Sequence, residues 1–276
     1  MSAAAATIAR VRVRRQLRIG RFVLPVYTWL VIAYTVIPIA VMVFYSFNQA
    51  PSGRLTFKWL GFTTTWYGQA FDISDLTNAL VHSLEIAFGS TALALILGTP
   101  LALALARSRF LGRSAVNATI FTDIAAPSVV VGASLLSLFI TLGFNRGLVT
   151  ILIAHVSFNI AFVVIVVRAR VLGLDRSIEK AAYDLGAGPW TAFTRVTLPL
   201  ILPGIVAAGM LAFAMSIDDF IITSFVAGQT LTFPLWVYGA VKVGIPLQVF
   251  VMGTLIFAMG IALALLNAVL QRRSAR

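Results

Sequence analysis

Six apolar runs, each near or above the roughly 20 residues an α-helix needs to cross a bilayer, constrain this chain more than any other feature. They are Phe22–Phe47, Ala79–Ala106, Ala115–Leu142, Gly147–Val171, Leu198–Ala227 and Pro246–Leu270. In hydrocarbon, every backbone N–H and C=O must find its partner inside the protein, so such runs are predicted as helices and not as open strands. The expected fold class is therefore all-α integral membrane, with six transmembrane helices. Only 11% of the residues are charged, against about 25% in soluble domains. Residues 22–271 are read as a single six-helix domain, flanked by tails at 1–21 and 272–276 and interrupted by one long loop at 172–197. The basic start "RVRVRRQLRIGR" precedes an apolar run too long for the h-region of a signal peptide, so the first span is expected to remain uncleaved.

Six spans put both termini on the same side. On that side lie six Arg of the N-terminal tail, Arg107, Arg109, Arg113, Arg168, Arg170, Arg176, Lys180, Arg195 and three Arg of the C-terminal tail. The opposite side holds Arg54, Lys58, Arg146 and Lys242. The positive-inside rule then predicts a multi-pass protein with cytoplasmic N- and C-termini. The formal charge of +12 is thereby read as topology, and no nucleic-acid partner is expected. With no cysteine and two histidines, His82 and His155, no metal site is expected; both histidines read as packed or interfacial polar groups. No phosphate-binding G-x-x-x-x-G-K-[ST] occurs.

The loop "LGLDRSIEKAAYDLGAGPWTAFTRVT" is composed like folded chain. Asp175 is placed to cap a short helix, Ser177–Leu185, by accepting from free backbone N–H groups. "GAGP" reads as a turn, with Gly186 and Gly188 available for positive φ. Pro189 suits the first turn of a second helix, and Pro199 opens the next span. The expectation is a helix–turn–helix on the cytoplasmic face.

Nine acidic residues occur in the chain, and those inside apolar runs are the natural functional candidates. Glu85 falls about six residues into the second run, or roughly 9 Å deep. Asp123 falls near the inner end of the third, before Pro127. Asp218 and Asp219 fall about 30 Å along a straight helix from Leu198, towards its outer end. Adjacent residues on an unbroken helix point about 100° apart. One carboxylate is thus expected to face a pathway while the other bonds within the bundle. That geometry argues against a paired-acid protease, whose acids meet across different helices. Gly204, Ala207, Ala208, Gly209 and Ala212 suit close helix packing.

The 172–197 loop also carries a resemblance. Lys180-Ala181-Ala182, three residues, Gly186, nine residues and "VTLP" ending at Pro199 reproduce the spacing of the E-A-A…G…I-x-L-P loop of ABC importer permeases. Lys180 and Val196 stand where that motif has Glu and Ile. "GFTTTWY", "HSLEIAF", "AHVSFNIAFVVIVV", "LDRSIEKAAYDLGA", "SIDDFIITSFVAG" and "VKVGI" extend the likeness over nearly the whole chain. It resembles the spermidine/putrescine permease class, specifically the PotC/PotI type of second permease.

The resemblance implies a type I, MetI-like fold in a bacterial inner membrane, and a non-catalytic subunit that binds no cofactor of its own. ATP and Mg would be used by two partner ATPase subunits. A second homologous permease would complete the pathway, and an extracytoplasmic binding protein would deliver a polyamine. Residues implied for ATPase coupling are Glu179, Lys180, Ala181, Ala182, Asp184, Gly186 and Ala187. Pathway candidates are Glu85, Asp218 and Asp219, joined by Trp66, Tyr67, Trp236 and Tyr238, whose ring faces attract ammonium groups. Related permeases often carry an acid directly after the proline at 127, where this chain has Ser128. Import of another organic cation or small solute by the same machinery is the alternative. A secondary transporter working without ATP is a further one, although no repeated halves are visible.

Overall fold

Backbone satisfaction within apolar segments is met by helices throughout. The computed structural model describes residues 2–274, with side chains for 23–262 and 265. The helices are α1 (Ser2–Tyr45), α2 (Thr65–Gly68), α3 (Ser74–Arg107), α4 (Arg113–Ala125), α5 (Ser128–Thr141), α6 (Leu148–Leu172), α7 (Arg176–Asp184), α8 (Pro189–Ala192), α9 (Leu198–Ile217), α10 (Ile221–Val226), α11 (Phe233–Val243) and α12 (Leu247–Ser274). Among the described residues there is no strand. The basic residues of the two tails lie outside the residues whose side chains are described.

The chain divides into two compact units, Met1–Ala70 with Ile245–Leu265, and Phe71–Gly244 with Leu266–Arg276. In the first unit, the buried Asn48 side chain ties the turn after α1 together. Its amide donates to the Lys58 carbonyl at 2.9 Å, and its oxygen accepts from the Leu60 N–H at 2.8 Å. Phe47 stacks on both Phe62 and Tyr67. The entry to α12 is pinned by Leu247 N–H donating to the Gly53 carbonyl at 3.0 Å.

The second unit is built on α3, α6 and α9, whose buried faces form one core. Ala94, Ala102 and Leu105 of α3 meet Val163, Val164 and Val167 of α6 and Ile201, Ala208 and Ala212 of α9. Small residues bring the helix axes close, as membrane packing favours. A Cβ on Gly98 would lie 2.8 Å from Val163 Cγ1. Of the small residues singled out in the fifth run, Gly204, Ala208, Gly209 and Ala212 are buried. A second cluster, with Phe139, Ile151, Phe158, Ile222 and Val226, packs α10 among α5 and α6.

Three expectations change. The third apolar run is two helices, α4 and α5, bent by 112°. Pro127 offers no N–H and pushes Ala126 out of the helical region, to ψ 134°. The fifth run is not one helix to Ala227: α9 stops at Ile217, Asp218 to Phe220 form a break, and α10 follows. Conversely, α8 is no separate helix. A π-helical turn, Phe193–Thr197, joins it to α9, so Pro189–Ile217 runs as one apolar helix. Four helices are long and apolar enough to cross a bilayer, and the bent α4–α5 pair would be a fifth. Among the described residues α12 contributes only a shorter apolar stretch, Leu247–Ala262, so the count of six is not reached on this criterion.

Close packing at Gly98 generates a stability prediction. Gly98→Leu is expected to cost about 1–3 kcal/mol by overpacking and to lower the thermal midpoint of the detergent-purified protein by several degrees. Gly239→Ala, where nothing lies within 4 Å, is expected to leave it unchanged or slightly raised.

Candidate functional site

The break between α9 and α10 is where charge collects. A cavity of about 480 Å³ opens beside it, with Asp123 and Ser128 from either side of the α4–α5 bend, Phe158 and Phe162 from α6, and Asp218 and Asp219 from the break among its walls. The bend and the break thus bring Asp123 to the same cavity as the Asp pair, although sequence depth had put them far apart. Both members of the pair line it, because an interrupted helix frees them from the 100° separation.

The two acids are nevertheless held differently. Asp219 Oδ2 accepts from the Thr223 N–H and from Thr223 Oγ1, each at 2.8 Å. It therefore satisfies a donor in the first turn of α10 that the helix itself leaves free. Its side chain is 13% exposed, and His155 Nε2 lies 3.5 Å away. No side chain among the described residues bonds to the Asp218 carboxylate, which stands exposed at the cavity wall.

Behind Asp219 runs a buried polar chain. Asn159 Nδ2 donates to Ser90 Oγ at 3.3 Å, and Ser90 Oγ donates to Ser216 Oγ at 3.0 Å. Ser216 Oγ is 2.7 Å from His155 Nδ1, and His155 Nε2 is 2.9 Å from Thr223 Oγ1. Each hydroxyl has a single hydrogen to give. Thr223 spends its hydrogen on Asp219, so His155 Nε2 must carry a proton and donate. Ser216, already accepting from Ser90, donates to Nδ1. Proton counting thus assigns a neutral, Nε2-protonated His155 in a one-way chain ending on the Asp219 carboxylate. His155 is the packed polar group expected from sequence, but its role as the hub joining α6, α9 and α10 was not foreseen. Ser90, Asn159, Ser216 and Thr223 gave no sequence signal beyond being polar in apolar runs.

The other pathway candidates lie elsewhere. Glu85 is exposed on α3 and does not line the cavity. Trp66 and Tyr67 belong to the first unit and are engaged structurally, Trp66 Nε1 donating to the Asn48 carbonyl and Tyr67 Oη bonding Ser46 Oγ. Trp236 and Tyr238 sit on α11, a helix where a loop was expected. Trp236 is half-buried. The Tyr238 ring packs 4.7 Å from Phe220, which lines the cavity, and Lys242 Nζ sits 5.5 Å from the Tyr238 ring centre.

The 172–197 loop forms as its turn chemistry dictates. Asp175 caps α7 by accepting from the Ser177 N–H at 2.8 Å. That bond, with the Ser177 hydroxyl, holds the Asp175 carboxyl below its ordinary value. The cap is therefore complete at neutral pH and is lost as pH falls through the lowered value. At the other end, Gly186 has φ +83°. Its N–H donates to the Tyr183 carbonyl and the Ala187 N–H to the Ala182 carbonyl, which is the Schellman closure. Gly188, at φ −69°, does not need its glycine freedom. Nothing lies within 4 Å of a Cβ on Gly186, so the turn is open to a partner. Lys180, Ala181 and Asp184 are exposed, and Ala182 and Ala187 half-buried. Leu185 and Trp190 are 89% and 75% exposed beside them, an apolar surface that marks an interaction face. Glu179 turns the other way, to Arg107 at the end of α3.

Known proteins with this architecture converge on one family. Residues 94–276 match the family described as binding-protein-dependent transport system inner membrane component. The spermidine/putrescine transport system permease protein PotC of Haemophilus influenzae is 36% identical over 90% of this chain and 96% of its own. The putrescine transport system permease protein PotI of Escherichia coli is 40% identical over 81% of this chain and 82% of its own. Among solved structures, a bacterial ABC transporter involved in import of the acidic polysaccharide alginate matches with TM-score 0.64 at 19% identity, covering 94% of this chain and 97% of that one. The MetNI methionine ABC transporter, in inward-facing conformations, matches with TM-score 0.60 at 18% identity, over 73% of this chain and 96% of that one. The fold, the match over residues 94–276 and the relatives across most of its length together make this chain a member of the binding-protein-dependent transport system inner membrane component family.

Proposed function

We propose that this chain is a permease subunit of an ATP-driven importer of polyamines, lining the pathway together with a second homologous permease. The observation that carries the proposal is the cavity walled by Asp123, Asp218 and Asp219. A polyamine is a string of ammonium groups, and carboxylates on more than one wall, with Phe158, Phe162 and Phe220 between them, suit such a cargo. The names of the PotC and PotI relatives point to the same substrate class. Asp218, unbonded by any described side chain, is the cargo-facing acid, while Asp219 is held by Thr223 and His155. In this reading the termini and the 172–197 loop are cytoplasmic. An extracytoplasmic binding protein delivers cargo from the other side. The open Schellman turn at Gly186, with Leu185 and Trp190, docks on a partner ATPase that binds and hydrolyses ATP.

The test is uptake of labelled spermidine and putrescine by the reconstituted complex with its binding protein. Saturable ATP-dependent uptake of either is expected. Uptake confined to a monovalent organic cation would replace the polyamine assignment. Within that assay, Asp218→Asn is expected to lower uptake at least about tenfold, by removing one partner of a desolvated charge pair, with an unchanged thermal midpoint. Asp219→Asn is expected to weaken the charge-assisted bonds to Thr223, losing about 2 kcal/mol of stability, so its thermal midpoint falls along with uptake. Equal thermal behaviour of the two variants would refute the division of roles.

For the loop, Gly186→Arg forces a non-glycine side chain into positive φ at the docking turn. It is expected to insert normally and to abolish uptake together with co-purification of the ATPase. Normal uptake by this variant would remove the coupling assignment.

A further inference from the structure

One carboxylate oxygen joins three elements beneath α7. Arg107, the last residue of α3, places Nη1 2.8 Å from Glu179 Oε1. The same Oε1 accepts from Thr197 Oγ1 at 3.2 Å. Thr197 is the last residue of the π turn that opens α9. The Arg107 and Glu179 side chains are only 27% and 20% exposed, and Thr197 is buried, so water competes weakly for the joint.

Beside it lies a small cavity of about 50 Å³, bordered by Arg107, Ile178, Glu179, Val196, Thr197 and Leu200. A gap and not continuous apolar packing therefore adjoins the joint, and the polar contacts carry force across it. The π turn is the second unusual element. It holds one residue more than an α turn, and such turns concentrate where helices work. Lys180, the next residue along α7, is exposed and points about 100° away.

We propose that Glu179 is a positioning residue that passes displacement of the α7 loop to the end of α3 and the start of α9 together, and that it does not itself dock the partner. The inference rests on the coupling role proposed above for that loop. Docking belongs to the exposed residues around Gly186, and transmission belongs to the Arg107–Glu179–Thr197 joint.

The experiment compares Glu179→Gln, Arg107→Gln and the swapped pair Arg107→Glu/Glu179→Arg in the reconstituted full complex. It reads ATPase co-purification and the ratio of ATP hydrolysis with and without loaded binding protein. Each single variant is expected to retain the ATPase and to lose about tenfold in that ratio. The swapped pair is expected to recover most of it. A merely structural defect would reduce the yield of complex without moving the ratio. An unchanged ratio in both single variants overturns the proposal, and so does loss of the ATPase, which would make Glu179 a docking residue. Co-purification of the ATPase with the unaltered chain reports separately on whether the loop couples at all.

Discussion

Asp219 accepts two hydrogen bonds from Thr223 through a single oxygen, and the interrupted helix around it depends on that contact. Breaking a helix inside an apolar bundle exposes backbone donors that lipid cannot satisfy. The carboxylate supplies the missing acceptor at the start of α10, and the Thr223 hydroxyl passes the requirement on to His155. From there Ser216, Ser90 and Asn159 extend the bonding into α9, α3 and α6. Low local dielectric strengthens such a chain and makes any missing member costly. The break is thus held by a continuous polar network, and it is the break that allows two adjacent acids to line one cavity.

The same principle separates the two acids by role. A buried polar group with all its partners rigidifies what surrounds it. An acid without side-chain partners, at a cavity wall, is left for water or a cation to satisfy. Asp219 is of the first kind and Asp218 of the second. Asp123 adds a carboxylate from α4, and it reaches the cavity because Pro127 bends α4 against α5. At the loop, Glu179 is satisfied within the chain by Arg107 and Thr197, while Lys180 is left exposed. In both places, neighbouring residues in sequence differ in how completely the fold has satisfied them.

Much of the architecture was legible because its causes are local. Apolar run length sets where helices lie. Asp175, Gly186 and Pro189 have caps and turns written into their side chains or lack of them, and each works as its chemistry predicts. The Asp218–Asp219 pair stood out because charge in an apolar run is costly wherever it sits. Depth counted along ideal helices misled at two points. The count for Asp218 assumed a helix unbroken to Ala227, and the third run was taken as one span in spite of Pro127. Glu85 is as conspicuous in sequence as Asp218, yet it lies outside the cavity wall.

By itself, then, the sequence determined that the chain is helical and membrane-embedded, that a capped loop projects near residue 186, and that acids are buried where they are expensive. These follow from nearest-neighbour chemistry and from the solvent each segment can tolerate. Only the tertiary structure decided which acids share a cavity, that His155 links Asp219 to three helices, and that Glu179 faces inward while Lys180 does not. Those outcomes depend on the 112° bend, the π turn and the break after Ile217. Each rotates or shifts everything beyond it, so residues distant in the chain meet only once all three have formed.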